Sequence, residues 1–206
     1  MNIHKLFEAT AFFSLSLLLT HQLIQKLFLD SSPKCFHNFT GPMTRNLKIH
    51  LTLEDATKFE ILKINFQPSV HIFPGLGEHF SNLRILVIVS QQIKFVERDS
   101  FVSLQKLTHL NLNRNQIEVL PEDVFMDLPN LEYLDFANNL IMNLPDKLFS
   151  HLKNIRQITF SDNHIKVLPS NLFLNNLKLK LLITYNNPLT TNNVDFSAIP
   201  NVQLWN

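Results

Sequence analysis

LTHLNLNRNQIEVLPEDVFMDLPN, residues 107–130, is followed by LEYLDFANNLIMNLPDKLFSHLKN at 131–154 and IRQITFSDNHIKVLPSNLFLNNLK at 155–178. Leu107-x-x-Leu110-x-Leu112 becomes Leu131-x-x-Leu134-x-Phe136 and then Ile155-x-x-Ile158-x-Phe160. Leu83-x-x-Leu86-x-Ile88 stands one step before, and Leu179-x-x-Leu182 one step after. The same 24-residue step carries Asn115 to Asn139, Asn163 and Asn187, Phe101 to Phe125, Phe149 and Phe173, and Pro121 to Pro145 and Pro169. Residue classes locked to one period at different phases mark a solenoid, in which each unit buries its face on its neighbours. What repeats is scaffold, so function is sought where the copies differ.

The end of each L-x-x-L-x-L frame alternates with period two, which suits a short strand with one face inward. One such strand per coil would stack in parallel, about 4.8 Å apart, into a continuous sheet. The recurrent Asn follows the strand, where the chain turns inward and leaves backbone groups without ladder partners. Its amide offers donors and an acceptor together, so Asn115, Asn139, Asn163 and Asn187 are expected to form a structural ladder that satisfies those groups. Pro after Leu120, Leu144 and Leu168 fixes φ on the return path, which therefore reads as extended or tight helical turns. Phe125, Phe149 and Phe173 then fill the space behind the sheet.

On these residues the chain resembles the leucine-rich repeat family, in the long form L-x-x-L-x-L-x-x-N-x-I-x-x-L-P-x-x-x-F-x-x-L. Leu107, Leu110, Leu112, Asn115, Ile117, Leu120, Pro121, Phe125 and Leu128 are all on pattern. The resemblance implies a curved right-handed coil, with a parallel β-sheet on the concave face and extended, 3-10 or short helical turns on the convex face. It covers about six repeats over residues 59–190. It names no ligand, because the family hosts receptors, inhibitors, adhesion proteins and scaffolds.

Departures from the pattern cluster at the ends. Gln91 takes the Asn slot of the copy at Leu83 and Glu97 its Pro slot, while the weaker copy at Phe59 has Gln67 and Ser69 for Asn and Ile. Gln keeps the amide but adds a methylene, so the first coils should be less regular. Asn176 replaces the Leu of Leu128 and Leu152. A seventh unit begins near Val202 and Trp205; either the array ends on an open strand edge, a pairing hazard, or residues 191–206 form a C-terminal cap with Phe196, Ile199 and Trp205 as its lid. The lid is the favoured expectation, because terminal repeats usually cap the stack. Whether the protein stops in this unit or continues is left open by the sequence.

With 206 residues, 45% hydrophobic and 18 Phe, the chain has material for one folded domain. A net charge of +1 with both signs interspersed leaves no electrostatic footprint for nucleic acid or an anionic membrane. At the amino terminus Lys5 precedes an apolar run from Ala9 to Leu19, so residues 1–20 read first as a signal peptide, with cleavage after Thr20, next as a short uncleaved anchor, and last as a buried cap helix of a cytosolic protein. A membrane contact is expected only in the anchored case, and both export readings place the repeats outside the cytoplasm.

Residues 35–58 read as an N-terminal cap. The sole cysteine, Cys35, is either an intermolecular disulfide that makes a homo- or hetero-dimer or a buried inert thiol. The disulfide clusters usual at both ends of extracellular family members are missing from the sequence. Beside Cys35 stands Asn38-Phe39-Thr40, the only N-glycosylation sequon, so Asn38 is a candidate modification site.

Catalysis is not indicated. His109 and Asp135 are the best placed nucleophile-assisting pair, yet strand geometry puts them on a diagonal of about 8 Å. The nine histidines lack ligand spacing, and three glycines cannot build a phosphate loop, so neither metal nor cofactor is expected. Candidate partner-binding residues are the outward strand positions: Ile85, Val87 and Val89, then His109, Asn111 and Asn113, then Tyr133 and Asp135, then Gln157 and Thr159. Ala137 and Ser161 complete the polar middle, and Leu181, Ile183 and Tyr185 form an apolar row beyond it. The middle coils, with Tyr133 as a rigid aromatic, suit protein recognition. The apolar row at Ile85, Val87 and Val89 either lies under residues 35–58 or is itself a binding stripe. The sequence thus points to a secreted binding module whose ligand is a protein. Its alternatives are extracellular pattern recognition of a glycan or lipid in defence, and a structural or adhesive protein that assembles through Cys35 or the sheet edge.

Overall fold

A computed structural model describes residues 60–64, 72, 75–190, 199 and 201–205. The signal or anchor at 1–20, the cap at 35–58, Cys35, Asn38 and Phe196 lie outside the described residues. Seven strands form one parallel sheet in sequence order: β1 Ile61–Ile64, β2 Ile85–Ile88, β3 His109–Asn111, β4 Tyr133–Asp135, β5 Gln157–Thr159, β6 Leu181–Ile183 and β7 Gln203–Trp205. The register steps by 24 residues from β1 to β6, so Leu62, Leu86, Leu110, Leu134, Ile158 and Leu182 align across the sheet. Each of the six is buried, because period-two alternation turns the L-x-x-L-x-L frame inward. The fold is a leucine-rich repeat solenoid.

The return paths are short, as the prolines demand. Among the described residues the returns hold helix α1, Leu76–His79, and a 3-10 turn at Arg98–Phe101, and are otherwise turns. Behind the sheet Phe101, Phe125, Phe149 and Phe173 stack with centroid spacings of 6.1, 6.3 and 5.7 Å. Phe136 and Phe160 stack at 5.7 Å nearer the strands, and Phe136 also meets Phe149. Buried aromatic rings at such spacings gain contact energy beyond their buried area.

The asparagines bridge consecutive coils. Asn139 Oδ1 accepts from Ile117 N at 3.0 Å, while its Nδ2 donates to the carbonyls of Leu112, Phe136 and Ala137 at 2.9–3.1 Å. Asn163 does the same for Ile141 N and for Phe136, Phe160 and Ser161. Asn187 and Asn115 repeat it at either end. The side chain of Gln91, in the same slot, donates to Val89 O at 2.7 Å, and among the described residues its buried Oε1 has no donor.

Asn176 is also buried and donates to the carbonyls of Phe149 and Leu152, at 2.8 and 3.0 Å, where earlier coils place a leucine. One regularity has no counterpart in the sequence expectations. Ser90, Arg114, Asn138, Asp162 and Asn186 all adopt φ between 53° and 60°, one per coil, just after the strand. Asn and Asp tolerate this left-handed region better than other side chains, which accounts for three of the five positions.

The favoured lid gives way at its end. Residues 203–205 pair with β6 in parallel, Leu181 to Gln203 and Ile183 to Trp205, so Trp205 extends the sheet and is 57% exposed. The register there steps by 22 residues, and Thr184 N completes the pairing by donating to Trp205 O at 2.7 Å. An apolar-polar-apolar triplet is a strand signal as readily as a cap signal, and neighbouring unpaired backbone groups favour the ladder. Ile199 is buried, as expected of it.

Candidate functional site

The open face of the sheet carries two rows set by register. Ile85, His109, Tyr133, Gln157 and Leu181 form one, and Val87, Asn111, Asp135, Thr159 and Ile183 the other. Ile85, Val87 and Val89 are half-buried, as are His109, Asn111, Asn113, Asp135 and Gln157. Tyr133 stands out at 38% exposure and Tyr185 at 43%. A shallow groove runs over β2 to β5 between Val87, His109, Tyr133, Asp135 and Gln157.

Part of the expected polar middle does not reach solvent. Thr159 is only 9% exposed, because Asp135 and Ile183 flank it in its row and Gln157 Nε2 lies 3.5 Å from its hydroxyl. Ala137 and Ser161 are buried too. They are small residues between the longer Asn113 and Tyr185 at the corresponding places of neighbouring coils, so their side chains sit below the rim. Thr159 is therefore a floor residue of the groove, while Tyr133, Asp135, Gln157, His109, Asn111 and Asn113 keep exposed or half-buried side chains on it.

Local bonding fixes this cluster. His109 and Tyr133 stack at 4.3 Å with an interplanar angle of 16°, and His109 Nδ1 lies 2.9 Å from Thr108 Oγ1. Burial pushes the His109 imidazole below its ordinary value of 6.5, with Glu132 pulling weakly the other way, so the ring is neutral at pH 7. Asp135 Oδ1 accepts from Ala137 N at 2.9 Å, and Asn111 Oδ1 accepts from Asn113 N at 2.9 Å. Asn113 Nδ2 reaches the two Asp135 oxygens at 3.5 and 3.3 Å. Side chains held by their own backbone lose little entropy when a partner arrives.

The hydroxyl that meets an imidazole here, Thr108 Oγ1 beside His109 Nδ1, donates its proton to Arg84 O at 3.0 Å, so the ring is not placed to take it. Among the described residues no cluster of metal-ligating side chains forms. A strip that the sequence reading passed over lies where the coils leave the sheet: Phe95 and Val119 form a parallel bridge and, with Val167, are exposed apolar residues at one phase of the repeat. The recurrence of apolar residues at 95, 119 and 167 was the available signal.

Residues 81–141 match the family model described as leucine rich repeat. No curated protein sequence matches the chain. Among solved structures, the chain is similar to one in the Toll–Spatzle complex, described as a molecular hub in Drosophila development and innate immunity, in its glycosylated form. The identity there is 25% and the TM-score 0.66, over 74% of this chain and 21% of that one. It is also similar to the APL1 leucine-rich repeat domain, at 23% identity and TM-score 0.64, over 77% of this chain and 42% of that one. The APL1B leucine-rich repeat domain matches at 25% identity and TM-score 0.55, over 58% of this chain and 36% of that one. The chain thus spans about a fifth to two fifths of the length of the structures it resembles.

Proposed function

From the premise that this chain is a leucine-rich repeat solenoid, we propose that it is a secreted recognition module that binds a protein through the concave face of its sheet. The observation that carries this reading is the fixed cluster of Tyr133, His109, Asp135 and Asn113, a rigid aromatic platform beside polar groups, on an open groove. Secretion is supported by the basic and apolar run in residues 5–19 and by the Asn38 sequon. A protein partner is in keeping with the likeness to a chain of a two-protein complex.

The test is Tyr133→Ala combined with Asp135→Ala, compared with Val87→Lys, in binding assays against proteins of the extracellular fluid. The double variant should abolish binding and leave the melting temperature nearly unchanged, since both side chains face away from the core. Loss of binding in Val87→Lys alone would instead mean an apolar ligand, and the alternative of glycan or lipid recognition would replace this one.

A further inference from the structure

Of the fifteen outward positions 85, 87, 89 and their 24-step equivalents through 185, only Asp135 carries a formal charge, and the cation in its row, Lys63 on β1, stands three strands away. The edge beside the strands carries its own ion pairs, Glu60 with Arg84 at 3.8 Å and Glu132 with Arg156 at 3.0 Å, followed by the exposed Lys180. Among the described residues no cation pairs with Asp135. Its Oδ2 takes only the 3.3 Å contact from Asn113, so a carboxylate with room for further donors faces the groove. On one side lies the His109–Tyr133 stack, whose imidazole is neutral at pH 7 and leaves the charge unopposed. Two strands away in the same row lies Val87, next to Ile85.

We infer that the partner presents an extended segment with one Lys or Arg on Asp135 and an aliphatic or aromatic side chain on Val87 and Ile85. This inference rests on the concave-face reading above. Charge complementarity selects the cation, and the half-buried Ile85 and Val87 select its apolar neighbour. Geometry also sets the spacing. Two strand separations place Val87 about 10 Å from Asp135, and an extended segment advances about 3.3 Å per residue. Successive side chains of such a segment alternate between faces, so the apolar side chain that shares the cation's face falls two residues from it, and the length of the cationic side chain spans the remaining few ångströms.

The experiment uses the full chain and libraries of acetylated, amidated hexapeptides in which Arg is fixed and Leu is placed one, two, three or four residues away. Binding is read by fluorescence polarisation. Peptides with Leu two residues from Arg should bind tighter than those with Leu one or three residues away. Replacing Arg by citrulline, or the protein residue by Asp135→Asn, should weaken them about tenfold, because a hydrogen-bonded charge in a partly buried site is lost. Asp135→Asn keeps an oxygen for Ala137 N, so the fold survives the change. Raising the salt concentration should weaken the wild-type complex and leave the Asp135→Asn complex unaffected. Enrichment of neutral or acidic peptides, or equal binding by Asp135→Asn, overturns the inference, and so does the absence of any peptide binding. If uncharged peptides bind and Tyr133→Ala removes them while Asp135→Asn does not, the concave-face reading stands and only the cation is wrong. If neither variant changes the binding, both fail.

Discussion

The coil at 83–106 and the coils at 107–178 share one frame but are held differently. In the middle coils each ladder asparagine ties its own turn to the previous one: Asn139 satisfies one amide N–H and three carbonyls. Gln91 satisfies one carbonyl and leaves its own buried oxygen without a donor. The left-handed position follows this contrast only in part: Ser90 holds it in the coil at 83–106 and Asn138 and Asp162 in the last two middle coils, but Arg114 holds it in the coil at 107–130. Apolar spacing alone is thus enough to place a coil in the stack. The short amide and the left-handed residue decide how tightly it is stitched there.

Four substitutions strain this contrast, and the largest effect belongs to the shared core. Phe149 sits between Phe125 and Phe173 and against Phe136, so Phe149→Ala should cost about 3–5 kcal/mol by chemical denaturation. A loss below about 1 kcal/mol would mean that neighbouring coils close over the gap, which close-packed interiors seldom allow. Next comes the ladder. Asn139→Ala should destabilise by roughly 1–3 kcal/mol, since it strands buried backbone groups, and Gln91→Ala should cost visibly less. Equal losses would show that the amides contribute packing rather than bridging.

The smallest change sharpens the comparison from the other side. Arg114 is exposed and held at φ 57°, so Arg114→Asn should raise stability by a few tenths of a kcal/mol. A decrease on thermal unfolding would mean that the arginine makes a favourable contact that outweighs its backbone strain.

Much of this was legible in the sequence, because burial and repetition coincide. Leu110, Leu134 and Ile158 recur at the one phase that must face inward, and Asn139 and Asn163 at the one phase where backbone groups run out of partners. The outward rows were legible as rows. What a linear pattern does not carry is depth: Thr159 and Ser161 read as surface polar residues, and their burial depends on the size of Asp135, Ile183 and Tyr185 in adjoining coils. The His109–Tyr133 stack was half legible, since register makes them neighbours but only side-chain rotamers lay the rings parallel. Trp205 was misjudged because a short apolar triplet fits a cap and a strand equally.

The cross-coil bonds carry a consequence for how the molecule comes to be folded. Asn154 reaches Pro129 O, Asn130 reaches Gln105 O, and Arg156 reaches Glu132, each joining residues 24 or 25 apart. Every step of assembly therefore closes a loop of the same length, and the entropic penalty of closure, which grows with the logarithm of loop size, does not rise as the array lengthens. A pair of well-stitched coils formed anywhere can act as a template on which the next coil zips up. The rate of folding is then governed by the slowest single addition, and the length of the chain enters only as the number of additions to be made.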